Sequence, residues 1–132
     1  MTAAPTPPSP TPYEQLGGDA GVRKLVDRFY DLMDALPEAK TIRALHPATL
    51  DDSREKLYEF LSGWLGGPNL YIEKRGHPRL RGRHMPFAID DAGVGAWLLC
   101  MNRAILEQCD DEEIVAKLKS GLVPLAQHMK NR

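Results

Sequence analysis

The chain has 132 residues, 42% of them hydrophobic and 27% charged, with a formal net charge of -1 at pH 7. This is the make-up of one globular domain with enough core to fold unaided. A balance so near neutral gives no general attraction to nucleic acid or to an anionic membrane, and no apolar run approaches the length of a bilayer span.

Residues 1–12 hold five of the eleven prolines, interleaved with Thr, Ser and Ala. Such a segment buries too little to offset its ordering entropy, so it reads as a disordered tail ahead of a single domain at 13–132. It also lacks the basic-then-apolar order of a secretory signal. From Tyr13 onward the periodicity is helical, without strand alternation. Gly17-Gly18 is a sharp break, and Asp19 is placed to cap the helix that follows. In that helix Val22, Leu25, Val26, Phe29, Tyr30 and Met33 recur at steps of three and four and form one broad apolar face. Pro37 and Pro47 bracket a short irregular helical stretch that contains His46.

A second long helix opens at Asp51-Asp52, whose carboxylates suit its positive end. Its inner face reads Ser53, Leu57, Phe60, Leu61 and Trp64, and Gly66-Gly67-Pro68 stops it. A long loop is then expected as far as His84; loops of that length in a compact domain are often functional. A third helix from Asp90-Asp91 presents Val94, Trp97, Leu98, Met101 and Ile105. A fourth begins after Asp110-Asp111 with Val115, Leu118, Leu122, Leu125 and Met129 inward, and Pro124, helped by Gly121, is expected to kink or break it. Cys100 and Cys109 share the third helix, where nine residues separate them by roughly 13 Å. A disulfide needs Cα atoms within about 7 Å, so none is expected within the chain, and a reducing cytoplasm is the simplest home.

The run Gly76-His77-Pro78-Arg79-Leu80-Arg81-Gly82-Arg83-His84-Met85-Pro86-Phe87 carries the most information. Pro86 cannot extend a helix and biases Met85 away from helical angles, so His84 falls on a rigid, one-turn piece. A histidine held among cations and beside apolar residues suits a metal-centred cofactor with negative groups. On these twelve residues alone an ordinary loop histidine is the default. Lys74, Arg75, Arg79, Arg81 and Arg83 form the one dense basic run; a nucleic-acid surface would want a wider basic face with interleaved aromatics. A zinc site on His77 and His84 lacks two further ligands at sensible spacing.

Taken in order, Gly17-Gly18, Phe29-Tyr30, Gly66-Gly67-Pro68, the 76–87 run and Ala96-Trp97-Leu98 through Met101 are similar to the truncated haemoglobins, and most to their second group. The resemblance covers residues 13 to about 130. It implies an all-α, two-over-two helical sandwich around haem b (iron protoporphyrin IX). It further implies that His84 is the proximal iron ligand and that Tyr30 and Trp97 are distal donors. His46 takes the corner position that accepts Phe, Tyr or His, and Ser53 takes a position where many globins have His or Gln. Leu57 falls one turn on, where some relatives have Gln, and leaves more of the distal hydrogen bonding to Tyr30, Trp97 and His46. Arg83 is the first partner for a propionate, with Arg79, His77 and Tyr71 behind it, and Phe60, Leu61, Leu80 and Met101 are expected against the macrocycle. On periodicity alone Tyr30 and Trp97 are core aromatics, and Ser53 can simply bond back to its own helix.

The function so implied is reversible binding of dioxygen and other diatomic ligands, for transport or for redox detoxification of nitric oxide or peroxide. No acid–base pair, nucleophile or flavin segment is apparent, so turnover would depend on an external reductase. Neither a nucleic acid nor a membrane is expected as partner. The alternative of a different class is a cofactor-free helical protein-interaction module, which would look the same in its apolar stripes.

Overall fold

The computed structural model describes residues 10–132; residues 1–9, and with them most of the expected tail, lie outside the described residues. The first helix, α1, spans Pro12–Gln15, and the Thr11 hydroxyl caps it by accepting a hydrogen bond from the Glu14 amide at 3.2 Å. Proline at its first position lacks only an N–H that no helical carbonyl could have reached. Among the described residues, regular structure therefore starts at Pro12.

Helix α2 spans Gly18–Ala35, and its buried side chains include the whole expected stripe from Val22 to Met33. Its start is set by the glycines rather than by Asp19: Gly17 takes a left-handed φ of 105° at the N-cap, and no side chain caps the helix. The Asp19 carboxylate instead accepts the Tyr58 hydroxyl, so it joins two helices. The turn needs a second glycine as well, because a Cβ on Gly21 would lie 1.8 Å from the Leu16 carbonyl oxygen. A 3-10 turn, Pro37–Ala39, leads into α3 (Lys40–Arg43), and a turn after it carries His46.

Helix α4 spans Asp51–Trp64. Leu61 is buried as expected, but Trp64 is 37% exposed, because its ring lies over Gly121, where a Cβ would approach to 2.9 Å. The side of α4 turned away from Ser53 and Leu57 buries Tyr58, Glu59 and Ser62, which no apolar pattern announced. The Ser62 hydroxyl donates to the Tyr58 carbonyl at 2.8 Å, and Glu59 is held by two cations. Those cations lie on α5 (Leu70–Arg75), a helix where a continuous loop was expected. It forms because Tyr71 is buried and because Arg75 donates to the Glu59 carboxylate at 2.7 Å, with Lys74 at 3.2 Å.

After Gly76 comes α6 (Leu80–His84), then α7 (Asp91–Gln108) and α8 (Glu112–His128). Asp90 and Asp111 cap the last two, accepting from the amides of Gly93 and Glu113. Of the kink or break expected at Pro124, a break does not occur, since α8 continues through it, and Gly121 lies against the Trp64 ring. Helix α2 packs on both α4 and α7, and α7 packs on α8, which makes two pairs of helices, one laid over the other. No strand occurs among the described residues. Phe29, Met33, Leu61, Met101 and Ile105 form the centre where the pairs meet. Cys100 and Cys109 are both free thiols, Cys100 buried and Cys109 half-buried.

The Arg75 guanidinium, with burial opposing and Lys74 assisting, holds the Glu59 carboxyl below its ordinary 4.5. A carboxylate lowered on folding stabilises fully above its unfolded value and loses that contribution as pH falls through its folded value. Glu59→Gln is therefore expected to lower the melting midpoint by several degrees at pH 7. The gap from the unaltered chain should close as pH drops below 4.5. Thermal melts of the two proteins between pH 3 and pH 7 check this, and a gap that does not change with pH would count against the ion pair.

Candidate functional site

Between the two helix pairs lies a cavity of about 380 Å³. Its walls are mostly apolar: Ile42 and Leu45 from α3 and its exit turn, Leu57, Phe60 and Leu61 from α4, Leu80 from α6, Phe87 and Ile89, Val94 and Trp97 from α7, and Leu125, Ala126 and Met129 from the end of α8. His46, Ser53, Lys56, Asp52 and His84 supply the polar groups. A cavity so lined suits a large apolar guest that a few polar groups orient.

His84 closes α6 and is half-buried at the cavity wall. Its Nδ1 lies 2.6 Å from the Leu80 carbonyl oxygen. A carbonyl can only accept, so Nδ1 carries a proton and, in the neutral ring, Nε2 holds the lone pair. That tautomer is the one an iron ligand needs, and the carbonyl partner fixes the ring's rotation. His46 is built the same way, with Nδ1 donating to the Ile42 carbonyl at 2.8 Å. Burial, with Arg43 and His84 nearby, pushes its pKa below the ordinary value despite that hydrogen bond, so it stays neutral at pH 7. At that pH its Nε2 is an acceptor; the resemblance had set it beside two donors.

Three aromatic rings continue from His46 into the core. Tyr30 stands edge-on to His46 with centroids 5.9 Å apart, Phe29 edge-on to Tyr30 at 4.9 Å, and Trp97 edge-on to Phe29 at 5.2 Å. Tyr30 is buried, which pushes its phenol well above the ordinary 10.0, and the nearby Arg54 only partly opposes that. Arg54 itself ties α4 to α2 through Asp31 at 2.9 Å and Asp27 at 3.2 Å, with its guanidinium 5.8 Å from the Tyr30 ring. Tyr30 thus remains a hydroxyl donor across the physiological range.

Of the residues picked from the sequence, the cavity gathers His84, His46, Ser53, Leu57, Phe60, Leu61, Leu80 and Trp97. Tyr30, edge-on to His46, is not part of the lining, and Met101 is fully buried in the core. Tyr71 lines a separate cavity of about 190 Å³ with Phe60, Trp64 and Pro78. His77 and Arg79 are exposed, and the His77 Nδ1 accepts the Arg79 backbone amide at 3.0 Å, at a point where Arg79 takes a left-handed φ of 46°. Arg83 is exposed, and its Nε donates to the Pro78 carbonyl at 2.8 Å. The cation in the lining is Lys56, paired with Asp52 at 3.0 Å, and nothing in the sequence pattern singles Lys56 out. Among the described residues no group of three or more His, Cys, Asp or Glu comes together to hold a metal ion. The donor set therefore fits a metal that brings most of its own ligands in an apolar carrier, as haem does.

The sequence from 11 to 131 matches the family model described as bacterial-like globin. The chain is 40% identical over 121 residues to the group 2 truncated hemoglobin YjbI of Bacillus subtilis, covering 92% of this chain and 89% of that protein. Its fold superposes on a cold-adapted truncated hemoglobin from the Antarctic marine bacterium Pseudoalteromonas haloplanktis TAC125 with a TM-score of 0.91 at 46% identity, covering 93% of this chain and 99% of that one. It superposes equally on the group II 2-on-2 hemoglobin of the plant pathogen Agrobacterium tumefaciens, with a TM-score of 0.91 at 47% identity over 96% and 98% of the two chains.

Proposed function

The chain belongs to the bacterial-like globins as a group II truncated haemoglobin, and from that premise we propose that His84 is the axial ligand of haem b, with Tyr30 and Trp97 as donors to a diatomic guest. The family implies haem and diatomic ligands such as dioxygen, and gives the cofactor-free interaction module no support. The observation that carries the assignment is the bond from the His84 Nδ1 to the Leu80 carbonyl, which in the neutral ring puts the lone pair on Nε2 of a residue that lines the cavity.

When bound, haem supplies an iron that takes up and releases diatomic ligands. The chain does the rest. Phe60, Leu61, Leu80, Val94 and Leu125 give the macrocycle an apolar bed and keep water from it. Lys56 offers an ammonium to a propionate from within the lining; Arg83, next to the ligand, can do so by releasing the Pro78 carbonyl. The Tyr30 hydroxyl and the Trp97 indole N–H would stabilise a diatomic guest that carries partial negative charge, and more so in a dry pocket. Leu57 brings no amide to share that task, and Ser53 adds one hydroxyl. His46 packs edge-on against Tyr30 and offers only a lone pair, so it steadies the donor ring rather than donating.

Among the described residues no helix is long and apolar enough to cross a membrane. Two free thiols suit a reducing compartment, and we place the protein in the cytoplasm, where an external reductase would return the iron to its ferrous form.

His84→Gly is expected to abolish haem retention in the purified protein, and added imidazole to restore a Soret band. Retention with an unaltered spectrum would move the ligand elsewhere. Holo-protein should also melt above apo-protein, since the folded state alone binds the cofactor. For the donors, a hydrogen bond to a charged group is worth roughly 1.5–3 kcal/mol. Tyr30→Phe or Trp97→Phe should therefore speed dioxygen release about ten- to a hundred-fold, while carbon monoxide, which carries less charge, changes little. Stopped-flow dissociation of the two single variants and the double variant reads this out. A wild-type rate in the double variant would return both rings to the core.

A further inference from the structure

Helix α6 presents a problem of mechanics. It carries the proposed axial ligand, yet none of its five residues is buried, and no other helix packs closely on it among the described residues. The bond from His84 to Leu80 fixes the ring relative to α6, but both partners ride on that helix. Something outside α6 must set where the helix itself stands.

The structure assigns that role to Asn131: we propose that it is a positioning residue for His84. Its side-chain amide donates to the His84 carbonyl at 3.0 Å and to the Phe87 carbonyl at 2.8 Å, while its Oδ1 accepts the Ile89 amide at 2.9 Å. Both amide protons and the oxygen are thus in use, and the amide cannot be flipped without setting an oxygen against two carbonyls. The Asn131 backbone is itself clamped, because its N–H donates to the Ile89 carbonyl at 2.9 Å. Arg81 completes the clasp from α6, donating to the carbonyls of His128 and Lys130, both at 3.0 Å. The segment beyond α8 therefore grips α6 and the turn after it by polar contacts, where apolar packing is missing. The His84 carbonyl, which also accepts the Phe87 amide at 3.0 Å, is held from two sides. Asn131 is well suited to this: a side chain with two donors and one acceptor meets two carbonyls and one N–H.

The inference rests on the reading of His84 as axial ligand and adds to it a residue that reaches the cofactor only through His84. Asn131→Asp is the deciding variant, since it keeps size and the acceptor for Ile89 but removes both donors. Asn131→Ala removes all three contacts, and Glu107→Gln, on a surface pair between α7 and α2, is the control for general destabilisation. In the apo-protein, amide exchange at Ile89 should quicken in Asn131→Ala and remain slow in Asn131→Asp. In the ferrous, ligand-free holo-protein, the iron–histidine stretching band should shift or broaden in both Asn131 variants and stay in place in Glu107→Gln. Haem loss to an acceptor globin should quicken about ten-fold, which corresponds to about 1.4 kcal/mol. An unchanged band and haem-loss rate in Asn131→Asp would overturn the proposal while leaving His84 as ligand. Absence of an iron–histidine band from the wild-type protein would instead overturn the ligand assignment itself.

Discussion

Phe29 is fully buried and presents its neighbourhood to both Tyr30 and Trp97, with ring centroids 4.9 and 5.2 Å away. This edge-to-face junction joins α2 to α7, and with it the upper helix pair to the lower. Such contacts are directional as well as apolar, each worth about 0.5–1.5 kcal/mol beyond area burial. They therefore set register, where a cluster of leucines would permit sliding. With α2 registered on α7, Tyr30 and Trp97 have fixed places relative to each other. His46, following α3, then closes against the Tyr30 ring at 5.9 Å. The side of the cavity walled by Trp97 and His46 is thus an outgrowth of the core, and its geometry is as rigid as the core is dense.

The opposite demand falls on the side that carries His84. There the chain cannot pack helix against helix without filling the space that the cavity needs. Polar contacts substitute for packing: His77 shapes the entry to α6, Arg83 ties back to Pro78, and residues 128–132 hold the far end. Glu59 with Arg75 and Lys74 does the same for α5, a step earlier in the chain. One half of the site is built on buried area, the other on hydrogen bonds and charge. The two halves respond to different insults, volume changes in the first and lost donors or titration in the second.

This division also explains what the sequence disclosed. The stripe on α2, the caps Asp90 and Asp111 and the four long helices are written in local patterns, steps of three and four and carboxylates ahead of amides. Proline and glycine punctuate the short segment of His84, but its part in a site was implied only by the family resemblance. Helix α5 was not legible, since six residues with one buried tyrosine make no periodic signal and are stabilised by a carboxylate on α4. Asp19 read as a cap because its bond to Tyr58, 39 positions away, has no local trace. Lys56 gave no signal, because a lysine whose head reaches a cavity rim looks no different in sequence from one on a solvated face. Asn131 is one polar residue after a helix end, and nothing near it reveals that its partners lie at 84, 87 and 89.

The clasp between residue 131 and His84 spans 47 positions of chain. During synthesis, α2 and α4 can meet long before that contact exists, while α6 emerges without its outside anchor. At about 5–20 residues per second, the interval between His84 and Asn131 amounts to several seconds. The polar contacts that hold α6 from outside therefore form only once residue 131 has been made. Capture of the cofactor in its final geometry follows translation of that segment.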